Sequence, residues 1–213
     1  MPDLYLPFSF RGAGWWRAHL RLERALSQDA PDTASVRSAW ARLARALVAA
    51  GAGSMAEAVA AGLVTGRPPW EGPRTGARAD ELPGGLAELL RHDLATLSAA
   101  TRVTAEPNRS GTTAGLPALR DLAAPHPDGG LRALAEALDG GDAEALMALY
   151  LGELSARGGG PSSLHPALTW DGGALRPVAA PDIADWEELF GLDSQLERLA
   201  ANTEALLAGT PAH

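Results

Sequence analysis

The chain has 213 residues, 46% apolar and 21% charged, which excludes a disordered polymer and suits one globular domain or one and a half. A net charge of −8 and an isoelectric point near 5.1 argue against nucleic acid as the main partner. The absence of cysteine removes disulfides, thiolate nucleophiles and thiolate metal sites together, and fits a reducing cytoplasm.

The N-terminal stretch MPDLYLPFSFRGAGWW has no charged region followed by an apolar one, so no signal peptide is expected. The uncharged run Ala46 to Ala56 lies between Arg45 and Glu57. It falls well short of the ~18 apolar residues of a membrane span, so no membrane association is expected. The Asn108-Arg109-Ser110 triplet matches a glycosylation pattern, but without a secretion route it reads as chance.

Aromatic residues make up 5% of the chain, and six of the eleven are tryptophan; the other apolar residues are mostly Ala and Leu. These are strong helix formers, and the core is expected to be built from helices. From Trp15 to Ser27 the pattern is helical, with Trp16 and Leu20 inward and Arg17, Arg21 and Arg24 at i, i+4, i+7 on one side. Asp32 is placed to N-cap a second helix. That helix carries Val36, Trp40, Leu43, Leu47 and Ala50 on one stripe, with Arg37, Arg42 and Arg45 off it. Gly51 and Gly53 break it before an Ala-rich third helix from Ser54 to about Val64.

Residues 65–85 are dense in Pro and Gly and read as a long loop, functional or mobile. The next helix shows the clearest period, with Leu86, Leu89, Leu90, Leu94 and Leu97 on one stripe and Glu88, Arg91 and His92 away from it. A second loose region covers 106–130, with a short ordered turn near Leu116 to Leu122. Two helices then form a hairpin. Leu131, Leu134 and Leu138 line the first, and Asp139 to Asp142 supplies a C-cap glycine and then an N-cap Asp. The second runs from Ala143 to about Ala156 with apolar residues nearly all round, and is expected to be the most buried helix. Leu168 to Val178 reads as two short strands joined by an Asp-Gly turn. A last helix is expected after Asp193 as its N-cap, with Leu192, Leu196, Leu199, Thr203 and Leu206 on one seam.

Charge is unevenly placed. Residues 1–50 hold seven arginines against four acids, and residues 181–213 hold seven acids against Arg198 alone. A basic head of this kind can meet an acidic partner, including the acidic tail of a neighbouring subunit. Two solvated helix faces would give the same pattern.

The segment Gly158 to Gly209 resembles the lead-in to the P-loop in an uncharacterised bacterial family of predicted AAA+-type P-loop ATPases. The features agree in order: a glycine-containing loop, a Trp-bearing β-hairpin, an acidic stretch with an LxG-type turn (Leu189-Phe190-Gly191), and a helix ending in Asn202-Thr203-Glu204-Ala205-Leu206-Leu207-Ala208-Gly209. Upstream, Leu89 to Ser98 is similar to a helix of the same family that carries one Asp. The resemblance implies that an apolar strand and a GxxxxGKS/T loop follow in a longer parent chain, and that ATP with magnesium is the parent's cofactor. It also implies that Leu189, Phe190 and Gly191 lie on the adenine side of that nucleotide, with an apolar face for the base and a glycine that lets the backbone approach. This chain stops before such a loop and contains no lysine, so all 18 of its basic residues are arginine. A Walker A loop needs a lysine ammonium at the β- and γ-phosphates. The chain as given is therefore expected not to be a complete ATPase, nor an enzyme.

Other chemistry is thin. Gly51-Ala52-Gly53-Ser54-Met55-Ala56 matches the GxGxxG/A pattern, but the preceding residues continue a helical period, and the acid about 20 residues on, Glu71, follows two prolines. His19, His92, His126, His165 and His213 are scattered without metal-ligand spacing, and His92 beside Asp93 reads as a helix-surface pair. Ser162 and Ser163 lack a GxSxG elbow. Glu187 and Glu188 are adjacent and point apart.

The expectation is a mostly α protein: a helical N-terminal domain over 1–157, with mobile loops at about 65–85 and 106–130. A β-hairpin and an AAA+-like lead-in without a P-loop follow over 158–213. Its expected role is a non-catalytic regulatory, partner-recruiting or assembly part of an AAA+-like ATPase in the cytoplasm. The alternative is a stand-alone helical adaptor or scaffold acting through protein partners or self-association, with no cofactor or metal of its own.

Overall fold

The computed structural model describes residues 4, 6, 8–29, 31–66, 82–105, 113, 115–123, 128–178, 181–182, 184–185 and 188–209. The fold is mostly α. Seven helices lie among these residues: α1 (Gly14–Leu26), α2 (Thr33–Ala49), α3 (Met55–Thr65), α4 (Gly84–Ala105), α5 (Gly129–Gly140), α6 (Ala143–Arg157) and α7 (Asp193–Leu207). A 3-10 turn at Ser9–Gly12 precedes α1, and a two-stranded hairpin, β1 (Leu168–Asp171) and β2 (Ala174–Pro177), follows α6. Much of the two loops expected at 65–85 and 106–130 lies outside the described residues, whereas the short turn near Leu116 to Leu122 is described.

The chain divides into two compact units, Met1–Pro177 and Val178–His213. In the first, α1 packs on α2, α3 on α5, and α4 on both α5 and α6. Leu22, Leu43, Leu47, Leu94, Leu97 and Leu134 are completely removed from solvent at its centre. Burial of such side chains, each giving about 1.5–3 kcal/mol, is what holds Ala/Leu helices of ordinary length together.

Helix ends follow side-chain chemistry. The Asp32 carboxylate accepts from the Ala34 and Ser35 amides at 3.2 and 2.9 Å. Asp128 and Asp142 do the same for α5 and α6. Gly141 closes α5 at φ +83°, in the left-handed region where glycine carries no Cβ penalty. At α3, Ser54 Oγ accepts from the Glu57 amide (3.1 Å) while Glu57 Oε2 accepts from the Gly53 amide (2.7 Å). This is a capping box displaced by one residue.

The hairpin pairs Thr169 with Arg176 and Trp170 with Leu175 in antiparallel register. The turn is Gly172-Gly173, with positive φ at both positions as a type I′ turn requires, rather than the expected Asp-Gly, since Asp171 still pairs with Ala174 at the end of β1. The turn near Leu116 to Leu122 is tied down from three sides. The Leu119 amide donates to Thr104 O and the Leu122 amide to Gly53 O. Trp40 Nε1 donates to Pro117 O at 3.0 Å.

Four other expectations need correction. Ala50 is not on the α2 stripe but is its exposed C-cap. The fourth helix, 22 residues long, does not bury the whole of its expected leucine stripe. Its buried side holds Asp93, Ser98, Thr101 and Thr104, while Leu89 is 37% exposed. The hydroxyls lengthen the stripe because each finds an acceptor within the core: Ser98 and Thr101 both donate to Leu138 O. Helix α3, not α6, is the more buried, because its small residues let neighbours close on it from several sides, while Leu149 of α6 is 37% exposed. Finally, α7 is N-capped by Leu192 without a side-chain bond, and Asp193 is its first helical residue.

Candidate functional site

Phe8, Phe10, Trp15 and Trp16 form an aromatic cluster. Phe10 stacks on Phe8 at 5.4 Å and on Trp15 at 5.5 Å, and meets Trp16 edge-on. It reaches the surface of α3 because residue 62 is glycine: a Cβ there would come within 2.9 Å of the Phe10 ring and 3.0 Å of its Cβ. Beside this contact lies a cavity of about 400 Å³, within the size range of small-molecule pockets. Phe10 and Trp15 line one side of it, and Leu131 and Leu164 contribute further apolar surface. Ala58, Ala61 and Gly62 of α3 also face it, at helical spacing and too short to fill it. Among the described residues, Glu57 and His165 are the ionisable groups in the lining.

Glu57 uses Oε2 on the Gly53 amide, and its Oε1 has no donor among the described residues. His165 is half-buried, and its imidazole has no hydrogen-bond partner among the described residues. The arrangement offers apolar and aromatic surface, one carboxylate oxygen and one imidazole. It can bind an organic molecule and orient one polar end of it.

His19 and Asp93 are among the buried polar side chains elsewhere in the first unit. His19 is 1% exposed against Trp16, and its Nε2 is 3.3 Å from Glu23 Oε1 without hydrogen-bond alignment. Asp93 is completely buried, and its Oδ2 accepts from the Leu6 amide at 2.7 Å. The expected surface pair of His92 and Asp93 does not exist as such. His92 is exposed while Asp93 faces inward, because adjacent residues on a helix point about 100° apart. Ser163 is also buried, donating to Val64 O and Gly160 O, which is a structural role.

Burial pushes the Tyr150 phenol well up. The Arg157 guanidinium, helped by the Leu131 and Gly130 amides, holds the Asp128 carboxyl at about 2.

In the second unit, Leu189 is half-buried, the Phe190 ring is 89% exposed, and Gly191 adopts φ +74°. The three form the turn that leads into α7. Open space surrounds the position where a Gly191 Cβ would stand, so an exposed ring and an approachable backbone sit side by side. No residue of α7 is buried, and Leu199, Leu206 and Leu207 are 55%, 70% and 82% exposed. Glu187 lies outside the described residues, and Glu188 Oε2 accepts from the Asp185 amide. In the first unit the arginines of the basic head (Arg17, Arg21, Arg24, Arg37, Arg42 and Arg45) are all exposed.

The stretch Ala46 to Ala50 before the GxGxxG-like pattern ends helix α2 rather than forming a strand, which removes the dinucleotide-binding context. The cavity could not be found from the sequence. Ser54 and Glu57 show a cap, but the meeting of α3 with Phe10, Leu131 and His165 joins positions more than 100 residues apart.

Among the described residues no group of three or more His, Cys, Asp or Glu is placed to hold a metal ion, and no helix is long and apolar enough to cross a membrane. Comparison with protein-family models, curated proteins and solved structures finds no match to this chain.

Proposed function

We propose that the chain acts through protein–protein contacts, as the non-catalytic helical front part of an AAA+-like ATPase of the cytoplasm, recruiting a partner, regulating the motor or assisting its assembly. The observation that carries the proposal is the exposed apolar run of the second unit, with Phe190, Leu199, Leu206 and Leu207 each more than half exposed. Single exposed leucines are ordinary, but a helical series of them preceded by an exposed Phe is the composition of a binding surface. The resemblance of Gly158 to Gly209 supplies the ATPase part of the proposal. In the parent chain, ATP and magnesium would be held by a P-loop outside this sequence, with Leu189, Phe190 and Gly191 on the adenine side.

The test is to read the native locus beyond the His213 codon and to express the longer product. The expected result is an apolar strand followed by GxxxxGKS/T, and ATP hydrolysis that falls when Leu199 and Leu206 are both changed to Asp. A longer product whose hydrolysis ignores those changes would remove the regulatory role.

A second reading, a stand-alone adaptor that self-associates, is favoured by the hairpin, where Trp170 and Leu175 oppose each other and are 70% and 48% exposed. Light scattering separates the two. A mass that rises with concentration and returns to monomer in Trp170→Ser supports the adaptor, and a monomer at every concentration counts against it.

A further inference from the structure

We infer that the cavity between Phe10, Trp15 and helix α3 is a binding site for a small organic cation: a primary or secondary ammonium carried on an apolar body the size of an aromatic ring. The inference does not depend on the ATPase reading.

Three features of the lining set the ligand class. The first is size, since about 400 Å³ accepts a ring with a side chain. Second, Phe10 and Trp15 on one side and Leu131 and Leu164 elsewhere match an apolar body rather than a sugar or a phosphate. A tryptophan face also attracts cations through its quadrupole.

The third feature is charge. Among the described residues of the lining, Glu57 brings the one carboxylate and no arginine is opposed to it. Its orientation is set by the structure itself, because Oε2 is held by the Gly53 amide at 2.7 Å. The Oε1 oxygen, without a donor among the described residues, is the natural acceptor for an ammonium N–H. His165, likewise without a partner among the described residues, supplies a second polar contact. A carboxylate in a largely apolar lining would bind an anion poorly and a neutral ligand without preference, so discrimination by charge is the signature of the site.

The test uses the full chain and two probes of nearly the same shape, 2-phenylethylamine and neutral 2-phenylethanol, titrated by calorimetry and by ligand-observed NMR. The amine is expected to bind about tenfold or more tightly than the alcohol, as a charge-assisted hydrogen bond should give. In Glu57→Gln the amine should fall to the level of the alcohol. That variant keeps a carbonyl oxygen for the Gly53 amide, and its melting temperature reports whether the cap survives. Ala61→Leu, which fills the cavity from α3, should remove both ligands.

Equal binding of amine and alcohol by the unaltered chain would overturn the assignment and leave an apolar groove suited to a peptide side chain. So would an amine affinity unchanged by Glu57→Gln, or no detectable binding of the amine at millimolar concentration.

Discussion

Asp128 holds the start of α5 and the end of α6 together with its two carboxylate oxygens. Its Oδ1 accepts from the Gly130 and Leu131 amides at 2.9 and 3.0 Å, while Oδ2 accepts from Arg157 Nη1. Arg157 is itself steadied by Glu153, 3.0 Å away and one helical turn earlier. The pair lies where an aspartate favours the positive end of one helix and an arginine the negative end of the other.

This carboxylate makes stability depend on pH in a definite direction. Its folded-state pKa, about 2, lies below the ordinary value of 3.8. Its contribution is therefore complete above about pH 4 and is lost as pH falls toward 2. Partial exposure reduces the effect to about 1 kcal/mol. Asp128→Asn, which retains a capping oxygen, should lose about that amount at neutral pH and flatten the acid limb of stability between pH 4 and 2. Asp128→Ala should lose about 2 kcal/mol because the cap goes as well. Urea denaturation across that pH range checks both.

Asp93 fastens the N-terminal segment to α4 through the Leu6 amide. Asp93→Ala leaves that amide without its carboxylate, and should cost about 2–3 kcal/mol. For a chain of this length that corresponds to a melting temperature lower by roughly 4–12 °C. Asp93→Asn keeps an oxygen acceptor and should cost about half as much. Amide hydrogen exchange at Leu6 should accelerate in the Ala variant, and unchanged exchange would show that the bond does not hold the segment.

Gly62→Ala improves helix propensity by up to about 1 kcal/mol, yet a net loss of about 1 kcal/mol is expected. The new methyl meets Phe10 at its Cβ as well as its ring, so the backbone of the 3-10 turn must move. Tryptophan fluorescence should shift together with the melting temperature, since Phe10 packs on Trp15 and Trp16. A more stable protein with unchanged fluorescence would mean that the turn yields freely.

His19 and Glu23 are expected to lower stability. Both His19 ring nitrogens and Glu23 Oε2 are buried without hydrogen bonds among the described residues. The double substitution His19→Leu with Glu23→Gln removes the buried imidazole and the charge, and should raise stability by about 1 kcal/mol. Thermal denaturation checks this, and a loss of stability would indicate that the 3.3 Å contact is worth more than its misalignment suggests.

What the sequence determined by itself was local. Helical period, Asp caps at 32 and 142, the Gly141 terminus and the Gly172-Gly173 turn all follow from dihedral preference and from hydrogen bonds within a few residues. Most of the elements were legible for that reason. The tertiary structure decided which side of a helix counts as inside. Asp93 reads as polar and outward, yet it lies in the core because the Leu6 amide, 87 residues away, reaches it. Leu89 reads as core and is partly exposed because α4 turns its hydroxyl-bearing side toward α5. The cavity beside Gly62 is likewise a product of long-range packing. Its carboxylate, imidazole and aromatic surface come from separate parts of the chain, and no local pattern records which distant side chain a helix will meet.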